Sequence, residues 1–142
     1  MRQLYTVTQE TGIFTIYLCL IFISIGPNYF QLAENAGRSL AKLALKMTRG
    51  KTSPRIVVLV GTSFNGSCGL VAARHLANHS VQVSICRSRA YHLPDEVTYL
   101  RNIYQHTNGK EAQIGSLPVE PVDLIIDALI GTSLNGAPGG SY

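Results

Sequence analysis

The sequence is poor in charged residues, in cysteine and in clustered positive charge. Only 14% of its 142 residues are charged and 46% are hydrophobic, which excludes a disordered chain. The net charge is +4, but the twelve Lys and Arg residues are scattered, so a solvated surface is expected and not a nucleic-acid-binding tail. Three cysteines give neither an even disulfide framework nor a C-x-x-C pair. A reducing compartment is therefore expected, the cytoplasm first and the mitochondrion as the alternative.

The sequence also lacks a hydrophobic run long enough to cross a bilayer. The uncharged segment Ile13 to Ile25 is shorter than the roughly 20 residues that a membrane span needs. A signal peptide is disfavoured because Arg2 is its single basic flank, Glu10 is acidic, and no small-x-small cleavage site follows. A signal or anchor, a first helix and an error in the gene model remain alternatives. We predict an N-terminal apolar extension or helix over residues 1–26 and one domain over residues 27–142.

Several familiar catalytic and binding motifs are missing. Gly61, Gly66 and Gly69 stand five and three residues apart, which matches neither the dinucleotide motif G-x-G-x-x-G nor a phosphate loop ending in Gly-Lys-Ser. His75 and His79 have the spacing of a zinc protease, but the Glu of H-E-x-x-H is absent, so surface histidines are expected. The sequence contains no nucleophile elbow.

What the sequence does contain is the pattern of a parallel α/β domain. Leu32, Ala36, Leu40, Leu43 and Met47 recur at helical spacing and predict the apolar face of a first helix, in which Ala33, Ala36 and Gly37 allow close approach of a neighbour. Further elements are predicted at Ile56–Val60 (strand), Leu70–Ala77 (helix), Val81–Ile85 (strand), a helix after Pro94, Ala112–Ile114 (weak strand) and Val122–Ile130 (strand). This order predicts a parallel sheet with right-handed crossovers.

Two loops of this sheet are candidates for a binding site. Ligands of open parallel sheets bind beyond the carboxyl ends of the strands, where Thr62–Gly69 and Asp127–Gly136 are predicted to lie. The first loop opens a helix, whose unpaired N–H groups and dipole favour an anion. Asn65 and Asp127 offer oxygen atoms to a hard cation or a ribose hydroxyl, or they support a turn and a cap.

Two further side chains in the first loop have competing interpretations. Ser67 is either a catalytic nucleophile or, as we predict, the N-cap of the helix that follows. Cys68 is either a reactive thiol at a helix N-terminus or, more simply, a small buried core residue.

Three segments resemble the YjeF N-terminal domain family. LAENAGRSLA at Leu32–Ala41 is similar to its helix signature L-M-E-N-A-G-R, and GTSFNGSCGLVAARHL at Gly61–Leu76 to its loop G-x-G-N-N-G-G-D-G-L-V-A-A-R-H-L. DLIIDALIGTSLNG at Asp123–Gly136 is similar to its D-L-I-V-D-A-L-F-G-T-G-L. The resemblance covers about Pro27 to Gly136.

The resemblance implies a Rossmann-like, three-layer αβα domain with a mostly parallel sheet, preceded by N-terminal helices. It implies an NAD(P)H-hydrate epimerase, which interconverts the R and S epimers of hydrated NADH and NADPH, acting as a homodimer without nucleic acid. It also implies one potassium ion per subunit, held by Asn65 and Asp127, while the catalytic residues stay unassigned. The implied substrate-binding residues are Phe64, Asn65, Gly66, Ser67, Cys68, Gly131, Thr132, Ser133, Leu134, Asn135 and Gly136.

The chain departs from the family pattern at several positions. Phe64, Ser67 and Cys68 stand where the family has Asn, Gly and Asp. The family continues into an Asp-x-Pro-Ser-Gly segment that supplies an acid/base carboxylate, whereas this sequence ends at Tyr142, so the domain is expected to be incomplete and the strand Val122–Ile130 to have an unpaired edge. The alternative is a catalytically silent YjeF-type binding and dimerisation module, as in mRNA-decapping scaffold relatives.

Overall fold

A computed structural model describes residues 26–79, 81–88, 93–112 and 121–131. In chain order the elements are α1 (Tyr29–Met47), β1 (Arg55–Val60), α2 (Phe64–Ala77), β2 (Gln82–Arg87), α3 (Asp95–Gln105), β3 (Lys110–Ala112) and β4 (Leu124–Ala128). The apolar segment Ile13–Ile25 lies outside the described residues. Within those residues, no helix combines the length and the hydropathy that crossing a membrane would require.

The four strands form one parallel sheet in the order β3-β2-β1-β4. At its centre Val58 is aligned with Ile85 on one side and with Ile126 on the other. Helices α2 and α3 contact each other and lie on the same face of the sheet, as the right-handed crossovers expected between β1, β2 and β3 require. The predicted Rossmann-like α/β class is confirmed, although the third layer of the αβα arrangement is not among the described residues.

Strand β4 lies at one edge of this sheet. Among the described strands β4 pairs only with β1, so its other edge is unpaired there, as predicted. The strand is shorter than the predicted Val122–Ile130. Its inward residues Leu124, Ile126 and Ala128 are buried, whereas Asp127 points to the other face and is partly exposed.

The core lies between the sheet and α2. Val58 and Val60 are buried under α2, and Leu70, Ala73 and Leu76 on that helix are fully buried. Helix α3, which was predicted after Pro94, adds Val97, Leu100 and Tyr104. Burial raises the pKa of Tyr104, whose hydroxyl donates to the carbonyl oxygen of Lys110 at 2.8 Å.

The prediction of which residues form the buried face of α1 is wrong. The buried residues of this helix are small, namely Ala33, Gly37, Ala41 and Ala44, and they face α2. Leu43 is 51% exposed and Met47 is 36% exposed, so these two large residues lie on the outer side of the helix, whereas Leu40 is partly buried and packs against the core. The predicted close approach explains this choice: a Cβ on Gly37 would lie 2.5 Å from the Cβ of Val71. Ala36, which was grouped with the small residues, is exposed.

A partly buried ion-pair cluster joins α1 to α2. Glu34 accepts hydrogen bonds from Arg74 and, at 2.7 Å, from His75. Burial alone would raise the pKa of Glu34, but the bonds from His75 and Arg74 hold it below its ordinary value. His75, whose side chain is 26% exposed, is therefore a hydrogen-bond partner within this cluster, and His79 is exposed, as expected.

Glu111 lies on β3, at the edge of the sheet opposite β4, and we expect it to make the stability of the fold depend on pH. It accepts from Arg101 at 3.0 Å and from Arg87, and these bonds overcome burial and hold the pKa of Glu111 below its ordinary 4.5. A carboxyl whose pKa is lowered by folding contributes stability above its unfolded pKa and loses it as the pH falls through the folded pKa. Replacing Glu111 with Gln should cost about 1 kcal/mol at pH 7 and flatten the fall of unfolding free energy below pH 4.5. Urea denaturation at several pH values measures both effects, and an unchanged slope in the variant would contradict the assignment.

Candidate functional site

The glycine loop between β1 and α2 is shaped by close backbone contacts with the end of β4. The N–H of Gly61 donates to the carbonyl oxygen of Ala128 at 3.0 Å. A Cβ on Gly61 would overlap the carbonyl of Leu129, and one on Gly66 would overlap the carbonyl of Gly61. The glycine spacing in the sequence thus has a structural cause. Without side chains at Gly61 and Gly66, the backbones of the loop, the first turn of α2 and the end of β4 can lie in contact.

Helix α2 begins at Phe64, six residues before the predicted start, and its N-cap is Ser63. The prediction that Ser67 caps the helix is wrong. Ser67 lies one turn inside, where its N–H donates to the carbonyl oxygen of Ser63 at 3.1 Å, and its side chain is completely buried. The first N–H groups of a helix have no intrahelical acceptor, so those of Phe64, Asn65 and Gly66 have none within α2.

The two predicted loops do converge. Asn65 Nδ2 donates to the carbonyl oxygen of Ile130 at 3.0 Å, which ties the first turn of α2 to the segment after β4. Asp127 lies one residue before the end of β4, and its Oδ1 accepts the N–H of Leu129 at 3.0 Å. Each side chain thus uses one polar atom, Asn65 Nδ2 or Asp127 Oδ1, for local structure, as the turn-and-cap interpretation predicted. The second polar atom of each side chain, Asn65 Oδ1 or Asp127 Oδ2, is not used in these bonds.

The structure brings six of the eleven predicted substrate-binding residues to this edge of the sheet. They are Phe64, Asn65, Gly66, Ser67, Cys68 and Gly131. The other five, Thr132 to Gly136, lie outside the described residues. Gly131 borders the loop directly, because a Cβ placed on it would lie 3.7 Å from the Cβ of Asn65.

Two of these residues are used for packing. The ring of Phe64 makes an edge-to-face contact with Tyr29, with centroids 5.0 Å apart. Cys68 is 8% exposed and belongs to the hydrophobic core, which agrees with its interpretation as a buried cysteine. Among the described residues no three His, Cys, Asp or Glu side chains form a group that could hold a metal, so the His75 and His79 spacing has no metal-binding counterpart there.

Tyr29 is a residue of this region that the sequence analysis missed. Its hydroxyl lies 2.8 Å from the hydroxyl of Ser67, 38 residues further along the chain. Burial raises the pKa of Tyr29, although the bond to Ser67 opposes that rise. The role of Ser63 as N-cap was also not predicted. A Ser immediately before a helix is the usual signal of an N-cap, but Gly66 and Gly69 placed the predicted helix start later, at Leu70.

Comparison with known proteins decides the family. The profile described as "YjeF-related protein N-terminus" matches residues 30–142. The chain belongs to this family. Among curated relatives, the NAD(P)H-hydrate epimerase of Dehalogenimonas lykanthroporepellens is 40% identical over 116 residues, which cover 81% of this chain and 47% of that protein. The chain therefore spans less than half the length of this relative.

Two other proteins are also similar to this chain. Human enhancer of mRNA-decapping protein 3 is 32% identical over 77 residues, covering 54% of this chain and 15% of that protein. The crystal structure of yeast YNL200c superposes with a TM-score of 0.76 and covers 95% of this chain and 60% of that one. Its sequence identity is 23%, so this match supports the fold alone.

Proposed function

We propose that this chain is an NAD(P)H-hydrate epimerase that interconverts the R and S epimers of hydrated NADH and NADPH in nucleotide repair. The hydrogen bond from Asn65 to Ile130 carries the proposal, because it joins an anion-binding helix N-terminus to the Asp127 segment at one edge of the sheet. The 40% identity with a protein named as an epimerase, over 81% of this chain, supports the same activity. The free N–H groups at the start of α2 would bind the phosphates of the substrate.

A potassium ion would fit beside this phosphate site. Asn65 Oδ1 and Asp127 Oδ2 are carbonyl and carboxylate oxygens, which suit a hard cation, and neither is the atom that the local structure uses. The ion would supply positive charge next to the substrate phosphates. Asn65 and Asp127 would hold it, and the backbone of Gly131 lies close beside Asn65.

The compartment and the assembly form part of the same proposal. We propose a cytoplasmic protein, because three cysteines give neither an even disulfide framework nor a C-x-x-C pair, and Cys68 and Cys86 are buried. We also propose that the chain acts as a homodimer, for which the exposed Leu43 and Met47 on α1 are candidate contacts. A monomeric mass for the wild type in sedimentation experiments at working concentration would contradict the dimer.

Epimer interconversion tests the proposed activity. The full chain is added to the separated R epimer of hydrated NADPH, and the S epimer is followed by chromatography. We expect the wild type to accelerate interconversion by at least about tenfold over buffer, because the site binds and orients the hydrate. Asn65→Ala should remove this acceleration, whereas Ser39→Ala, on the exposed side of α1, should retain it. Equal rates for wild type, Asn65→Ala and buffer would contradict the proposal.

A catalytically silent binding module is the second candidate. It is favoured by the use of Phe64 and Cys68 in packing, since neither presents a polar group to the substrate. The similarity to enhancer of mRNA-decapping protein 3, a protein not named as an epimerase, supports the same candidate. Binding of hydrated NADPH without any acceleration of interconversion would favour this candidate over the epimerase.

A further inference from the structure

The exposed side of α1 carries a row of basic side chains. Arg38, Lys42 and Lys46 follow one another at steps of four residues, and Arg49 lies in the turn after the helix. Residues four apart in a helix lie on the same face. All four side chains belong to exposed residues, and together they are called the basic row. These charges are scattered along the sequence, but the helix collects them on one surface.

No described acidic side chain neutralises the basic row. Within the part of the chain that the structure describes, none of its four members forms an ion pair with a carboxylate. Glu34 is the acidic residue of α1, and it is paired with Arg74 and His75 instead. Lys46 lies in the last turn, where it complements the helix dipole, but Arg38 and Lys42 lie too far inside the helix for that explanation.

The residues beside the basic row are apolar. Leu43 and Met47, which are 51% and 36% exposed, each follow a lysine of the row, because α1 uses its small residues for packing against α2. A surface that binds single-stranded nucleic acid would combine its charges with aromatic side chains for base stacking, and here the neighbours are aliphatic. Lysine and arginine with exposed aliphatic residues are typical of a helix that lies on an anionic bilayer. The uncharged run Ile13–Ile25, which precedes α1 in the sequence, also favours lipid as the partner.

We propose that the exposed face of α1 binds the surface of a membrane that contains anionic phospholipid. The basic row contacts the headgroup phosphates, and Leu43 and Met47 enter the boundary between headgroups and acyl chains. Each lysine or arginine close to such a surface strengthens binding by about fivefold. The binding is peripheral and reversible, and it does not depend on the activity proposed above. The cytoplasmic leaflet is the one that carries anionic lipid, so this inference agrees with a cytoplasmic protein.

The same face contains Leu43 and Met47, the candidate contacts of the homodimer. Two copies that met there about a two-fold axis would bring two basic rows together, and their like charges would repel each other. Salt therefore acts in opposite directions on the two partners, because screening weakens binding to anionic lipid but favours association of like-charged faces. We expect vesicle binding to decrease as the salt concentration rises.

Cosedimentation of the full chain with phosphatidylcholine vesicles, prepared with and without phosphatidylserine, tests the inference. We expect the wild type to bind only the vesicles that contain phosphatidylserine. Lys42→Gln should weaken this binding by about fivefold, and the triple variant with Arg38→Gln and Lys46→Gln by about 100-fold. Lys110→Gln is the matched control, because it removes an exposed lysine from β3, and it should bind as wild type.

Circular dichroism checks that each variant keeps the fold, which we expect because the substituted side chains are exposed. Equal binding of the wild type to both kinds of vesicle, or equal losses in Lys42→Gln and Lys110→Gln, would overturn the inference. Binding that is unchanged by salt would also overturn it. Binding of single-stranded RNA that depends on Lys42, without binding of either kind of vesicle, would assign the basic row to nucleic acid and overturn the membrane role.

Discussion

Gly66→Ala is expected to cost more than about 4 kcal/mol of unfolding free energy and to leave much of the chain unfolded at room temperature. An alanine Cβ at this position would overlap the carbonyl oxygen of Gly61 and lie 2.7 Å from its carbonyl carbon. Both atoms are backbone, and Gly61 is itself fixed by its hydrogen bond to Ala128. Neither side can yield by rotating a side chain, so the loop and α2 must separate.

Gly50→Ala is the matched control for this substitution. Gly50 has a φ of +91°, but no atom lies within 4 Å of its Cβ position. Alanine there incurs only the strain of a left-handed backbone, about 1–2 kcal/mol. Circular dichroism with urea denaturation compares the two variants, and a loss in Gly66→Ala no larger than that in Gly50→Ala would contradict the close contact.

Asp127→Ala is expected to abolish potassium-dependent stabilisation and to weaken hydrated NADPH binding by about 100-fold. The substitution removes Oδ2, one of the two oxygens proposed to hold the ion, and it removes the negative charge that attracts a cation. It also deprives the N–H of Leu129 of its acceptor, which lies at 3.0 Å in the folded chain.

Asp127→Asn separates these two effects. An asparagine keeps an acceptor for the Leu129 N–H but has no charge, so its stability without potassium should stay close to that of wild type. We measure melting temperatures in potassium and in a large organic cation at equal ionic strength. The wild type should melt at a higher temperature in potassium than in the organic cation, whereas neither variant should show this difference. Equal melting temperatures of the wild type in the two salts would contradict the proposed ion site.

The sheet was predictable from the sequence because its signals are local. Ile56–Val60 is a continuous aliphatic run, and Val83 and Ile85 alternate with polar residues, so β1 and β2 were located to within a residue or two. The convergence of the Asn65 and Asp127 segments followed from parallel topology alone, since carboxyl ends of parallel strands meet at one edge.

The packing of the helices was not predictable in the same way. α1 has an apolar stripe that includes Leu43 and a second stripe of small residues that includes Gly37, and spacing cannot tell which of them contacts α2. The start of α2 was placed too late because glycine disfavours helices, whereas Gly66 sits in the first turn to permit contact with Gly61. The Tyr29–Ser67 bond joins residues 38 apart and has no signal in the sequence.

The central claim is that hydrated NADPH binds where the start of α2 meets the end of β4. An NMR titration of the full chain with hydrated NADPH, recorded on assigned backbone amides in potassium buffer, tests it most directly. We predict that the largest shifts occur at Phe64, Asn65 and Gly66 and at Leu129 to Gly131, with small changes around Tyr99, an exposed residue of α3. Saturable shifts confined to other surfaces, or none at millimolar ligand, would contradict the account.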